Sequence, residues 1–161
     1  MDKKAFVSKL GFVPKDNTVG IYEKKYQQHN YSVEIDFLKE QICYGHLIGA
    51  DCRTTQNFSQ AENWVVLECV NRLLEKGYKP QNIILEKTWA AGHGTSGRLD
   101  ICVTRDDGSE YLLIECKTYG KEFDKAVAKL NKDGGQLFTY FKFSNKADLI
   151  MLYASELQGN E

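Results

Sequence analysis

Residues 98 to 117 decide the fold, and they read Arg98-Leu-Asp-Ile-Cys-Val-Thr-Arg-Asp-Asp-Gly-Ser-Glu-Tyr-Leu-Leu-Ile-Glu-Cys-Lys117. Two apolar runs flank Asp107-Gly108, a dipeptide suited to a tight hairpin turn. The stretch therefore predicts two antiparallel strands joined at that dipeptide. If Asp107 pairs with Gly108, the residue numbers of every cross-strand pair sum to 215.

In that register two carboxylates face each other. Asp100 lies opposite Glu115 with Cβ atoms roughly 5 Å apart, and Lys117 shares the face of Glu115 because side chains alternate along a strand. Like charges opposite each other destabilise a sheet unless a cation, such as a divalent metal with oxygen ligands, neutralises them. A salt bridge at a sheet end is the structural alternative. The other face of the hairpin carries Ile101, Val103, Leu112, Ile114 and Cys116.

Composition restricts the class of protein. The 161 residues suit one domain with a real core, and the net charge of −1 gives no strong overall field that would attract nucleic acid. The five cysteines lack a Cys-x-x-Cys pair and the three histidines lack metal-ligand spacing, so we expect reduced thiols and no zinc site. No segment resembles a signal peptide or a membrane helix, so we expect a cytoplasmic protein without a membrane partner.

Hydrophobic periodicity outside the hairpin predicts the remaining elements. Before Ser59 these are a helix over 2–10, strands over 21–26 and 31–37, and a loop over 45–58. After Ser59 they are a helix over 60–76, strands over 82–89, 97–104 and 110–117, helices over 121–132 and 135–143, and a strand over 148–154.

The acidic hairpin and this order of elements resemble the PD-(D/E)XK nuclease superfamily. The residues that carry the resemblance are Leu99-Asp100, with leucine where the family name has proline, and Glu115-Cys116-Lys117. The resemblance implies an α/β (α+β) fold: a restriction-endonuclease-like αβββαβ core with a mixed central sheet flanked by helices, plus an N-terminal helix and β-hairpin. We expect residues 1–58 to form an extension packed on a nuclease core at 59–161.

A second motif resembles one branch of that superfamily. Gln136 and Tyr140 lie four residues apart on one helix and share a face. After Glu115-x-Lys117, they resemble the Gln-x-x-x-Tyr motif of the RecB-like branch, which includes type I restriction nucleases and implies that both hold the substrate strand. The structural alternative is a tyrosine packed into the core beside a polar neighbour.

Residues 58–78 and 134–140 also look like the amino-terminal nuclease domain of single-chain restriction-modification enzymes, which are related to type I motor subunits. This resemblance implies DNA as the partner. It further implies a full-length protein in which the domain is fused to a helicase domain, a methyltransferase domain or both, and to target-recognition domains.

The activity implied by the resemblance is a Mg²⁺-dependent DNA endonuclease, with Mn²⁺ as a possible substitute. Asp100, Glu115 and the carbonyl of Cys116 would bind the metal, and Glu62 would contribute directly or through water. Lys117 would orient the attacking water or stabilise developing charge. Two other functions stay open: a non-catalytic nucleic-acid-binding or assembly module with the same fold, and a nuclease that acts on RNA or branched DNA.

Three further predictions are less specific. The acidic residue that the superfamily places on its first core helix is Glu62 or Glu68; Glu62 lies on the inward side near the helix start, but Ser59-x-x-Glu62 is also a capping box. Lysines 121, 125 and 129 recur every four residues, so Lys121 and Lys125 are candidates for substrate contact or for a solvated helix face. Glycines in the loop 91–97 would let backbone pass close to metal or substrate.

Overall fold

The computed structural model describes residues 2–89, 97–144 and 147–156. Within them the chain forms four α-helices: α1 (Lys3–Lys9), α2 (Glu62–Glu75), α3 (Lys121–Asp133) and α4 (Gly135–Phe143). The strands are β1 (Val13–Pro14), β2 (Ile21–Tyr26), β3 (Tyr31–Asp36), β4 (Gln41–Cys43), β5 (Gly49–Ala50), β6 (Ile83–Thr88), β7 (Arg98–Thr104), β8 (Glu110–Cys116) and β9 (Leu149–Tyr153). The predicted α+β class is confirmed. None of the described helices is long and apolar enough to cross a membrane.

The larger sheet is mixed, as predicted. Its strand order is β5-β6-β7-β8-β9, and the three central strands are antiparallel. Its two outer strands run parallel to their neighbours, β5 to β6 and β9 to β8. From α2 onward the element order is helix, three strands, two helices, strand, which matches the predicted order.

The smaller sheet, β1-β2-β3-β4, contains the predicted hairpin as β2 and β3 and extends it by one short strand on each side. It packs on α2: the Tyr26 hydroxyl donates to Asn71 Oδ1 at 2.8 Å, and Gln28 Nε2 donates to the Leu74 carbonyl at 2.8 Å. One buried cluster spans this sheet, α2 and the larger sheet. The predicted boundary at residue 58 therefore has packed side chains on both of its sides and stays a prediction.

Local sequence explains the end of α2. Gly77 has a left-handed φ of 93°, which glycine adopts without steric cost. Its N–H donates to the Leu74 carbonyl, and the Tyr78 N–H donates to the Leu73 carbonyl, both at 3.1 Å. These two bonds form a Schellman motif, which ends the helix at Glu75, one residue before the predicted end.

The segment 45–58, predicted as a loop, contains β5. Gly49 pairs with Ile84 and Ala50 pairs with Leu85. A strand of two residues is too short to show any periodicity, so the sequence carried no signal for it.

The hairpin keeps the predicted register but not the predicted turn. The pairs Ile101–Ile114, Cys102–Leu113 and Val103–Leu112 all sum to 215. The Asp107–Gly108 pair is wrong, because the Arg105 N–H donates to the Ser109 carbonyl and closes a three-residue loop. Gly108 takes the left-handed conformation, with φ of 82°, that ends such a loop. The loop shifts the register by one residue, and the irregularity between Val103 and Thr104 shifts it back.

The two faces of the hairpin contribute to two buried clusters. As predicted, one face packs towards α2 and contains Ile101, Val103, Leu112, Ile114 and Cys116. Cys102 and Leu113 belong to a second cluster, together with Leu137 and Tyr140 of α4. Leu99 also joins the second cluster, although strict alternation would place it with Ile101. The alternation is interrupted where Glu86, which has a φ of 51°, lies opposite Asp100 in the register.

Helix α4 packs against the start of β7 through one tyrosine. The Tyr140 ring is fully buried and stacks on Trp89, with 5.7 Å between the ring centroids. A Cβ atom at Gly97 would lie 2.2 Å from Cε1 of this ring. The close approach therefore requires glycine at position 97.

We expect Gly97→Ala to lower the free energy of unfolding by roughly 1–3 kcal/mol, because the new methyl group overpacks the contact with Tyr140. Gly49→Ala is the matched control, since a Cβ there meets neighbours only at ordinary distances of 3.6 Å or more. Urea denaturation of the two variants measures the difference. Equal midpoints would contradict the close approach.

Candidate active site

Strands β7 and β8 separate at Asp100. Their ladder ends at the pair Ile101 and Ile114. Beyond that pair, the backbone N–H of Cys116 donates to Asp100 Oδ2 at 2.7 Å. A side-chain carboxylate thus replaces a backbone carbonyl as the acceptor. The exchange brings Asp100 beside the end of β8, next to Glu115.

The Lys117 ammonium lies among three oxygen atoms. Its Nζ is 2.9 Å from Glu115 Oε1, 3.1 Å from Glu62 Oε1 and 2.8 Å from the Cys116 carbonyl oxygen. Glu62 is the first residue of α2, so this cation joins the helix to the end of β8. Together with Asp100, these are the residues that the sequence suggested as metal ligands and catalytic lysine.

The two glutamates of α2 have different surroundings. Glu68 is buried and accepts from Arg72 Nη2 at 2.7 Å and from the Tyr153 hydroxyl. It is therefore already neutralised elsewhere, whereas Glu62 bonds to Lys117. The capping box does not form: Ala61 is the N-cap residue, and the Ser59 hydroxyl donates to Asn57. Capping is therefore not the reason for an acidic residue at position 62.

Burial and mutual repulsion make the acidic groups weak acids. Burial, followed by the negative charge of Glu115, raises the pKa of Asp100 to about 7. Burial also raises the pKa of Glu115, although Lys117 opposes this shift. For Lys117, burial lowers the pKa, but the charges of Glu115 and Asp100 outweigh it and raise the pKa above its ordinary value. The lysine is thus a permanent cation, and Asp100 is the group that changes charge near neutral pH.

One carboxylate oxygen of the site lacks a partner. Glu115 Oε2 is buried and has no hydrogen bond within the described part of the chain. In the same ranges, no three His, Cys, Asp or Glu side chains converge as a metal-binding group. The nearest donor set is therefore two carboxylates, Asp100 and Glu115, and the Cys116 carbonyl. Oxygen donors of this kind suit hard cations such as Mg²⁺.

Gln136 and Tyr140 are brought close to the site in different ways. Gln136 lines a cavity of about 40 Å³ that also borders Glu115 and Lys117. Its Nε2 donates to the Tyr140 hydroxyl at 2.7 Å, and that hydroxyl donates to the Arg98 carbonyl at 2.8 Å. Because the Tyr140 ring is fully buried, it has no open face on which a base could stack in this conformation. Tyr140 is a core residue that orients Gln136.

The lysines of α3 differ in whether they border the cavity beside the site. Lys125 is exposed and bonds to Glu122 at 2.8 Å, and Lys121 is exposed at the helix start. Neither borders the cavity, whereas Lys129 does. Of the predicted loop 91–97, only Gly97 lies within the described residues.

Two charged residues beside the site were not singled out from the sequence. Glu86 is fully buried, and its Oε1 lies 3.4 Å from Nε of Arg98. Glu86 directly follows the apolar residues Ile83-Ile-Leu85. Because a carboxylate is rarely buried without a partner, its position next to this apolar run was the signal that could have marked it.

Asp100 should make the metal-free domain less stable at high pH. Its pKa is about 7 when folded and near 4 when unfolded. Between these values the folded state binds more protons, so the free energy of unfolding falls as pH rises. Asp100→Asn should reduce this dependence, and its free energy of unfolding at pH 8 should exceed that of the unsubstituted chain by roughly 2–4 kcal/mol. Urea denaturation in EDTA at pH 5 and pH 8 measures it, and parallel pH profiles would contradict it.

The family of the type I restriction enzyme R protein N terminus matches residues 61–155. No curated protein matches the chain. The family match begins one residue before α2 and extends past β9, so it includes every residue of the acidic cluster and the Gln136–Tyr140 pair. Because the match covers more than half of the sequence, the chain belongs to the family of N-terminal regions of type I restriction enzyme R proteins.

Proposed function

We propose that this domain is a Mg²⁺-dependent DNA endonuclease of the PD-(D/E)XK type that serves a restriction-modification enzyme. The observation that carries the proposal is the cluster of Glu62, Asp100 and Glu115 around the Lys117 ammonium. Three acidic groups and one cation leave the fully ionised cluster net negative. A restriction enzyme acts on nucleic acid, whose phosphates are negative as well, so a further cation would have to bring the two together.

The residues present fit a divalent cation. Asp100, Glu115 and the Cys116 carbonyl would hold Mg²⁺, with Mn²⁺ as a substitute, and Glu62 would contribute directly or through water. The unpartnered, buried Glu115 Oε2 supports this set, since a buried acceptor without a donor is costly unless a ligand satisfies it. When bound, the metal lowers the pKa of a water molecule and neutralises charge on the phosphate.

The side chains around that position divide the remaining work. Lys117 supplies a permanent positive charge, which orients the attacking water or stabilises the charge that develops on phosphate oxygens. The amide of Gln136 can donate to a phosphate oxygen from the cavity wall. Tyr140 keeps that amide in place through its hydroxyl. Positioning of this kind contributes to rate because the reacting atoms must be in line.

The charge of the domain also predicts how it meets DNA. With a net charge of −1, it gains little non-specific electrostatic affinity. We therefore expect weak cleavage with little sequence preference from this domain by itself. Helicase, methyltransferase or target-recognition domains of a full-length protein would deliver the DNA.

A cleavage assay with linear, circular, single-stranded and branched substrates in Mg²⁺ tests the function. Metal-dependent cleavage of DNA is the expected result. Cleavage only of RNA or branched DNA would change the substrate class. If the folded domain cleaves no substrate and binds no metal, it is a non-catalytic binding or assembly module, and the proposal is wrong.

Asp100→Asn, Glu115→Gln and Lys117→Met should each lower cleavage, and the lysine variant by roughly 10²–10³-fold because it removes one charge that stabilises the transition state. The first two should also weaken Mg²⁺ binding in calorimetry. Lys79→Met is the matched control, because Lys79 bonds to Asp106 in the hairpin loop at the other end of β7. Near-normal cleavage by a folded variant of any one of the three would remove that residue from the mechanism.

Gln136→Ala and Tyr140→Phe should lower cleavage while Mg²⁺ affinity stays near that of the unsubstituted chain. The first removes the amide, and the second removes the hydroxyl that orients it. Calorimetric titration alongside the cleavage assay separates the two effects. Loss of metal binding in Gln136→Ala, or unchanged cleavage of all substrates, would return this pair to a purely structural role.

A further inference from the structure

Arg98 occupies a position beside the acidic cluster that the proposed mechanism does not use. It is the first residue of β7, two residues before Asp100. Its side chain is 47% exposed, and its Nε lies 3.4 Å from Glu86 Oε1. Its two terminal nitrogens, Nη1 and Nη2, make no hydrogen bond to any residue in the described ranges.

Glu86 is held in an unusual conformation. It is fully buried and has a φ of 51°, a left-handed value that costs energy for any residue except glycine. Its carboxylate accepts from the Thr54 hydroxyl and, at 3.2 Å each, from the Thr55 N–H and hydroxyl. The side chain of Arg98 is therefore paired with a buried carboxylate. Thr54 and Thr55, which follow β5 in the chain, hold that carboxylate in place.

Arg98 is close enough to act on the site itself. It lies two residues before Asp100 on β7, and the Tyr140 hydroxyl that bonds to it also accepts from Gln136 of the cavity wall. Its backbone carbonyl accepts the Tyr140 hydroxyl at 2.8 Å, which ties the backbone of this residue to α4. Glu86 thus contacts the side chain of Arg98, and Tyr140 bonds to its backbone.

We propose that Arg98 binds a phosphate of the strand that is cut, and that Glu86 is the positioning residue that holds its guanidinium beside the acidic cluster. This inference rests on the proposed function. Nucleic-acid strands carry negative phosphates, and the acidic cluster would repel them. Because Lys117 is already bonded to three oxygens, a second cation is needed for the neighbouring phosphate.

Arginine suits this task better than lysine. Its planar guanidinium can bond to Glu86 through Nε while the terminal nitrogens bond to a phosphate. A lysine has one charged nitrogen and cannot satisfy both partners in a fixed geometry. The anchored fork would place the phosphate in one orientation relative to Asp100 and Glu115.

The salt dependence of binding to a short DNA duplex tests the phosphate contact. We would measure it with Mg²⁺ in the Asp100→Asn background, which prevents cleavage under the proposed function. Addition of Arg98→Ala should reduce the slope of log K against log salt by about 0.9, and affinity should fall roughly tenfold. Addition of Arg98→Lys should keep most of the slope, because the charge remains. Lys39→Ala is the control: it removes one exposed charge of the smaller sheet and should change neither quantity.

Glu86→Gln tests the positioning role in the otherwise unsubstituted chain. The single oxygen of glutamine can still accept from Thr55, and its amide nitrogen can donate to the Thr54 hydroxyl, but glutamine has no charge for Arg98. We expect the maximal cleavage rate to fall while the salt slope stays unchanged, since Arg98 keeps its own charge. A purely structural role would lower thermal stability and leave the rate of the folded protein intact, which would overturn the role of Glu86.

The outcomes separate this inference from the proposed function. If DNA is cleaved and Arg98→Ala binds with unchanged slope and affinity, the inference is wrong and the proposed function stands. If Arg98→Ala reduces the slope but the unsubstituted chain neither cleaves DNA nor binds Mg²⁺, the phosphate contact stands and the nuclease proposal is wrong. If no duplex or single strand is bound even at low salt, both are wrong.

Discussion

The ammonium of Lys117 is the interaction on which the site depends. Glu62 of α2 and Glu115 of β8 meet at this lysine, and Asp100 of β7 lies beside them. Because these carboxylates are partly or fully buried, they would repel one another without a cation. The backbone of Lys117 is itself fixed, because its N–H donates to the Tyr153 carbonyl of β9 at 2.8 Å. The sheet thus positions the cation, and the cation holds the helix start to the sheet. A buried ion pair of this kind contributes geometry more than stability.

The separation of β7 and β8 at Asp100 places this carboxylate near the Lys117 ammonium. Where Asp100 accepts from the Cys116 N–H, the ladder stops and the two strands separate. On the other side of β7, Glu86 lies opposite Asp100 and is distorted at the same level. The end of the β7–β8 ladder and the left-handed Glu86 thus lie at the same level of the sheet. The alternation of side chains between the two faces is interrupted there, and Leu99 belongs to the α4 cluster. Strain of this kind collects at functional sites.

Membership in the R-protein family and the geometry of the site support each other. The family places the chain in a restriction enzyme, and the acidic cluster around Lys117 lies within the residues that the family model matches. In the same geometry the Tyr140 ring is buried, and its hydroxyl links Gln136 to the backbone of Arg98. Under the proposed function, Tyr140 would therefore act by supporting Gln136.

The sequence by itself determined the α+β class, the order of the elements from α2 onward and the hairpin register from Ile101 to Val103, because these follow from alternation and helical periodicity. Only the tertiary structure showed the different surroundings of Glu62 and Glu68, since these depend on Lys117, Arg72 and Tyr153 from other positions in the chain. It also decided the three-residue turn, the burial of Tyr140 and the contact of Glu86 with Thr54 and Arg98. These features arise between residues far apart in the chain or from single backbone angles, and neither leaves a periodic trace in the sequence.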